Sequence, residues 1–265
     1  MRIIVPIKQV PETSAVKMDE ATGTMIREGV EAIVNPLDLY AIELAIRLRE
    51  EHGGRVTAIT MGPSSAEKAL REAMAMGCDD AVLISDKAFA GSDTWATSFV
   101  LAAAVRKLGA ADMIVCGERA TDGDTGQVGP ATAAFLDLPA VTYASKIVEV
   151  NDATAQVHRL VEDGYEVLEV DLPALLTVVK EAAEPRLPTL RGKRKARAAD
   201  IPRWTPAELG VKPEDVGLTA SPTRVVKIFR PKVARECVKV TASDDKTIET
   251  AVDGLVKMLQ KKELL

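Results

Sequence analysis

Three glycines at a spacing of three, Gly123, Gly126 and Gly129, share a short stretch with Asp122, Asp124, Thr125 and Gln127. A glycine-rich loop running into a helix can turn its backbone N–H groups toward a phosphate, and the helix dipole favours an anion there. Aspartate, threonine and glutamine at these positions could bond ribose hydroxyls or phosphate-bound groups. A polar loop with turn glycines explains the same spacing, and spacing alone leaves both readings open. The stretch lacks the Gly-Lys-Ser/Thr ending of a Walker A loop and does not follow the first strand, where a dinucleotide fingerprint would stand.

Two further runs could join it. Asn35-Pro36-Leu37-Asp38 reads as a helix N-cap followed by a proline in the first helical position. Met61-Gly62-Pro63 reads as a tight turn. Taken singly, capping and turning account for both; taken together, the three runs could close around one adenine nucleotide. Other chemistry is thin. Cys78, Cys116 and Cys237 lie far apart with no Cys-x-x-Cys, which fits a reducing compartment. Cys116 has no histidine near it in sequence and reads as a buried thiol at a strand end. His52 and His158 are the only histidines, so no His-based zinc set is expected. The basic run RGKRKAR at 191–197 could meet nucleic acid or an acidic partner, or be a solvated linker; no aromatics interleave it.

The elements that must position these residues alternate. Apolar runs at 2–7, 55–60, 81–84, 112–116 and 141–148 read as strands. Between them, helices are expected after Asn35, ending at Gly53-Gly54; after a Ser64-x-x-Glu67 capping box, ending at Gly77; and from about 94 to 108, capped by Asp93 and ended by Gly109. A short helix before Leu138-Pro139 completes a βαβαβαβαβ order. That order implies right-handed crossovers and a mostly parallel, doubly wound, Rossmann-like α/β sheet, with the ligand at the carboxyl ends of its strands. Residues 11–33 are polar, with a turn at Thr22-Gly23-Thr24. Beyond 150, strands at 154–160 and 165–171 flank Glu162-Asp163-Gly164 as a hairpin, and another apolar run covers 174–179. Residues 200–223, with four prolines, read as an extended arm with one short helix, and an amphipathic helix spans about 244–260.

The chain of 265 residues is 47% hydrophobic, 28% charged and 3% aromatic, an ordinary globular composition. A net charge of −5 argues against nucleic acid as the main partner. No apolar run approaches the about 18 residues of a membrane span, and the N-terminus reads as a strand rather than a signal peptide. No direct membrane insertion and a cytoplasmic location are therefore expected.

The run Val157-x-Arg159-x-x-Glu162-Asp163-Gly164-Tyr165-Glu166-x-Leu168, continuing after four residues with Pro173-x-Leu175-Leu176-Thr177, closely resembles the signature of the electron transfer flavoprotein β subunit. The resemblance extends along the chain through VPIKQVPET, NPLD at 35–38, MGP at 61–63, AMAMG at 73–77, ATDGDTGQVGP at 120–130 and EPRLPTL at 184–190. It implies an adenine-nucleotide-binding α/β domain at 1–190 and an arm at 191–265 that wraps the α subunit of a heterodimer. The family's nucleotide pocket would fall on Pro6, on Asn35, Pro36, Leu37 and Asp38, on Met61, and on the run Gly117, Glu118, Arg119, Ala120, Thr121, Asp122, Gly123, Asp124, Thr125, Gly126, Gln127 and Val128. Its partner-docking residue would be Leu190. The family has two branches. In simple electron carriers the pocket holds AMP and the single FAD lies mainly on the α subunit. In the bifurcating branch a second FAD fills the pocket and takes a hydride from NADH. One electron then goes to the α-subunit FAD, and onward to an acyl-CoA dehydrogenase or quinone-reducing partner; the other goes to ferredoxin or flavodoxin. The stretch from Asp122 to Pro130 resembles the bifurcating form, while simple carriers typically have a more acidic run without the Val-Gly-Pro ending. Simple carriers also have a glutamate in the signature where Leu160 stands here. No residue reads as an acid-base catalyst, and no metal is expected.

Overall fold

The computed structural model describes residues 1–12, 32–226 and 239–265. The expected turn at Thr22-Gly23-Thr24 and Cys237 lie outside the described residues. The chain opens with β1 (Arg2–Pro6), β2 (Gln9–Pro11) and β3 (Ala32–Val34), the last two forming a small antiparallel pair. Helices and strands then alternate: α1 (Pro36–His52), β4 (Arg55–Met61), α2 (Glu67–Met76), β5 (Asp80–Ile84), α3 (Thr94–Leu108), β6 (Met113–Gly117) and α4 (Val128–Leu136). The long strands β7 (Ala140–Val150), β8 (Thr154–Val161) and β9 (Gly164–Asp171) follow, then β10 (Ala174–Val178), α5 (Leu190–Ala198), β11 (Arg203–Trp204), α6 (Pro206–Leu209), α7 (Gly217–Ala220) and α8 (Asp245–Lys261).

The main sheet runs β11-β5-β4-β1-β6-β10-β7-β8-β9. It is parallel from β11 to β7 and antiparallel through β7, β8 and β9. The pleat sends alternate side chains to opposite faces. Ile3, Val5, Val56, Ala58, Met113, Val115 and Leu176 face one core, with Ile42, Ile46, Leu70 and Ala73 from α1 and α2. Ile4, Ile59, Val82, Ile84, Ile114 and Leu175 face the other, with Val100, Leu101 and Ala104 from α3 and Ala133 from α4. A sheet covered on both faces is what right-handed crossovers produce.

Several local expectations hold. Pro36 opens α1, Gly53 and Gly77 end α1 and α2, and the Asp93 carboxylate accepts from Ala96 N–H at 3.0 Å. The hairpin of β8 and β9 turns at Glu162-Asp163, with Val161 opposite Gly164.

Others do not hold. The Ser64 capping box does not form: Ser64–Ala66 is a 3-10 turn closed by Ala66 N–H on the Pro63 carbonyl, and α2 begins at Glu67 without a side-chain cap. Glu67 instead accepts from Arg71 one turn on, at 2.6 Å. In the sheet, β10 lies between β6 and β7, the strand expected at 141–148. Residues 200–223, expected as an extended arm with one short helix, hold β11 and two short helices, α6 and α7. RGKRKAR forms most of α5, which packs on α2 with Ala196 buried, while β11 pairs with the edge strand β5. A compact unit runs from Met1 to Lys227.

The second unit, Ile228–Leu265, contributes α8 among its described residues. Asp244 caps this helix by accepting from Thr247 N–H at 2.9 Å, and Ile248, Val252 and Leu255 share one of its faces.

Candidate functional site

Parallel pairing aligns the carboxyl ends of the central strands. Pro6 is in register with Ile59, two residues before Met61, and Gly117 is in register with Val178. Pro6, Met61 and Gly117 thus end β1, β4 and β6 on the same edge, where α/β sheets bind ligands.

Asn35 enters this edge from the start of α1. It was expected to cap the helix, but its side chain makes no capping bond. Its amide instead donates to the Arg119 carbonyl at 2.9 Å and accepts from Thr121 N–H at 3.1 Å. A fully buried asparagine therefore clamps the loop after β6 to the start of α1. Asp38, also buried, accepts from Lys8 N–H at 2.7 Å, and the Gly117 N–H and the Asn35 side chain face it and favour its charged form. Burial pushes its carboxyl up to about 7, outweighing those donors. The approach is so close that a Cβ on Gly117 would lie 2.5 Å from Asp38 Oδ1 and 2.9 Å from the Leu37 carbonyl carbon, so only glycine fits there.

The rest of the loop faces outward. Glu118 N–H donates to the Val178 carbonyl at 3.1 Å, and Asp124 N–H to that of Ala120 at 2.8 Å. Asp124 and Gly126 both take left-handed backbone. Lys8 Nζ pairs with Asp122 at 2.7 Å and Arg119 Nε with Asp124 at 2.8 Å. Exposed pairs of this kind contribute about 1 kcal/mol or less, so both cations are free to change partners. Thr94 Oγ1 donates to Gln127 Oε1 at 2.9 Å, and Ser98 Oγ to the Val128 carbonyl at 3.2 Å, tying the loop's end to α3. Gln127 does not cap α4, and Pro130 has no N–H. The first-turn N–H groups of Val128 and Gly129 thus carry the helix's partial positive charge toward the loop. Gly129 lets α4 sit against the sheet, since a Cβ there would be 2.6 Å from Thr177 Cγ2 and 3.1 Å from Cys116 Sγ. Cys116 is buried, which raises its thiol well above the ordinary range, as Asp38 nearby also does.

The residues expected from β1, α1, β4 and the 117–128 loop therefore meet at one sheet edge. Leu190 is not part of that cluster. It opens α5 and is 83% exposed. Lys8, Thr94 and Ser98 belong to the site's surroundings; Lys8 lies in the VPIKQVPET run, and Thr94 and Ser98 lie in no motif. Lys8 could have been noticed because it follows the first strand directly; nothing in the sequence distinguishes Thr94 and Ser98 from other polar residues in the first turns of a helix.

A phosphate-bearing nucleotide fits this donor set of helix N-terminus, outward glycines and two re-partnerable cations. The family model of the electron transfer flavoprotein domain matches residues 22–209, most of this framework. This chain belongs to the electron transfer flavoprotein family. Relatives align with nearly all of it. The CarD subunit of the caffeyl-CoA reductase-Etf complex of Acetobacterium woodii is 46% identical over 266 residues, covering 100% of both chains. The electron transfer flavoprotein subunit beta of Thermoanaerobacterium thermosaccharolyticum is likewise 46% identical over 266 residues and 100% of both chains. The acryloyl-CoA reductase electron transfer subunit gamma of Anaerotignum propionicum is 43% identical over 264 residues, covering 97% of this chain and 98% of the other. The mixed α/β architecture is that of an electron transfer flavoprotein subunit. Among the described residues no helix is long and apolar enough to cross a membrane.

Proposed function

We propose that the protein is the β subunit of a heterodimeric electron transfer flavoprotein of the bifurcating type, with FAD at the carboxyl edge of β1, β4 and β6. The observation that carries this reading is the 117–128 loop, held by Asn35 at one end and running into the uncapped N-terminus of α4 at the other. The Val128 and Gly129 N–H groups and the Thr125 hydroxyl would bind a diphosphate, with Lys8 and Arg119 turning to it from their aspartates. Asn35 and Asp38 hold the loop root, so the protein's part is binding and orientation. When bound there, FAD supplies hydride acceptance from NADH and single-electron delivery to the α-subunit FAD and to ferredoxin or flavodoxin. Likeness along the full length to subunits named as parts of reductase complexes supports this branch, as does the Asp122 to Pro130 stretch. The exposed Leu190 serves as the docking residue for a flavin dehydrogenase. The second unit, with α8, serves as the arm on the α subunit.

Nucleotide analysis of the purified heterodimer tests the reading. Two FAD per heterodimer, essentially no AMP, and direct reduction by NADH without a dehydrogenase are expected. One FAD with one AMP and no reaction with NADH would leave the simple electron carrier standing.

A further inference from the structure

Residues 184–192 approach α1 and α2 at two fixed points and stand free between them. At the first point, Arg186 forks onto two carboxylates of α1. Its Nε donates to Glu43 at 2.8 Å and its terminal nitrogens to Glu50 at 2.7 and 2.9 Å, while its own N–H donates to Glu43 at 3.2 Å. Arg47 completes the set, donating to Glu43 at 2.6 Å and to the Glu184 carbonyl at 3.0 Å. Glu43 is almost wholly buried. Its carboxyl is nevertheless held below the usual range, because the Arg186 and Arg47 bonds outweigh the cost of burial. At the second point, Thr189 caps α5 through Gly192 N–H at 2.9 Å, and a Cβ on Gly192 would lie 2.1 Å from the Ala75 carbonyl oxygen. Between these anchors Leu187 is 88% exposed and Leu190 83% exposed. Pro185 and Pro188 stiffen the span.

Only Glu43 of this cluster is buried, with Arg186, Arg47 and Glu50 a third to half exposed; an ion pair on a buried carboxylate is a poor source of stability, because desolvation cancels much of the attraction, and its attested use is to fix one geometry. Here the geometry fixed is that of a segment presenting two leucines to solvent. We propose that Arg186, closed on Glu43 and Glu50, is a positioning residue that pre-orders Leu187 and Leu190 as a two-point apolar hook for a partner protein. The inference rests on the docking role given to Leu190 above and adds the device that presents it. A hook already ordered loses little chain entropy on docking, so the fork acts on affinity. The partner it fits has an apolar pocket with an acidic rim: Arg191, Lys193, Arg194 and Arg197 are exposed on α5, which carries no acidic residue. The same helix that carries Glu43 and Glu50 begins at Asn35 and Asp38, so one rigid element indexes both the hook and the nucleotide edge.

The test uses the purified heterodimer with its cofactors and an acyl-CoA dehydrogenase that reacts with the wild type. Leu190→Ala should raise the KM for the dehydrogenase about tenfold at unchanged kcat. Arg186→Gln should raise it severalfold, also at unchanged kcat, with flavin content and dithionite reduction as in the wild type. The double variant should be worse than Leu190→Ala alone by less than the full Arg186→Gln effect, because the fork works partly through Leu190 and partly through Leu187. Glu50→Gln, which loosens only the outer half of the fork, should shift KM in the same direction by less, and it decides the matter if Arg186→Gln does not fold. A normal KM in folded Arg186→Gln, or in Glu50→Gln where that variant decides, alongside a raised KM in Leu190→Ala would overturn the positioning role and leave the docking role intact. Fully additive effects would do the same. A normal KM in Leu190→Ala would overturn the docking role itself.

Discussion

Asp38 keeps its proton to about pH 7 in the folded chain, because its burial outweighs the donors that face it. In the unfolded chain the same carboxyl ionises near its ordinary value of 3.8. Between these values the unfolded state binds fewer protons, so this group's contribution to stability falls as pH rises through that window and is flat above it. The full loss is on the order of 4 kcal/mol. Asp38→Asn should therefore flatten the fall in melting temperature of the heterodimer between pH 4 and 7; a slope identical to the wild type would show that Asp38 is not the group responsible. Asn35 illustrates what a sequence conceals at this scale. Asparagine before proline at a helix start signals a cap, but the side chain has two equivalent uses, and the loop it grips lies 84 residues away in the chain. Only the fold brings Arg119 and Thr121 within its reach.

At the scale of elements, the segment after Leu190 behaves differently from a linker. α5 covers α2, the Arg71 guanidinium bonds to the Ala196 carbonyl at the end of α5, and β11 adds to β5 through Leu83 N–H on the Pro202 carbonyl. Further on, Asp93 Oδ2 accepts from Thr223 N–H at 2.9 Å and from its hydroxyl at 2.7 Å. A chain ending at 227 should keep a cooperative thermal transition, whereas one ending at 190 should lose it or melt far lower. Equal melting of the two would mean that α5 and β11 add nothing to the core. The basic run was readable as polar, and its helical register was not: Ala196 and Gly192 are the small residues that let it approach α2, and small residues carry little hydrophobic periodicity. The strands, by contrast, were legible because their apolar runs are short, β-branched and bounded by glycine, proline or aspartate. The fork of Arg186 was invisible for a further reason, since charged residues usually mark solvent and these four meet only across α1.

At the scale of the molecule, the order of strands in the sheet is not their order in the chain. β5, β4, β1 and β6 can pair as they are made, because each joins a neighbour already present. β7 cannot join them, since its parallel partner β10 is encoded after the whole β8–β9 hairpin, and β10 must enter the gap between β6 and β7. The ribosome delivers the chain from one end only, so the nascent protein passes through a stage with half a sheet and a separate three-stranded ribbon. At that stage the apolar edge of β6, Met113 to Cys116, has no partner and resembles any other unpaired strand that invites association. Nascent chains arrested before Ala174 should be readily cut between β6 and β7, and chains released past residue 227 should resist. Translation speed through the codons for residues 118–178 then becomes a physical variable of this fold. A pause there prolongs the exposed edge, and rapid passage closes the sheet before another chain can find it.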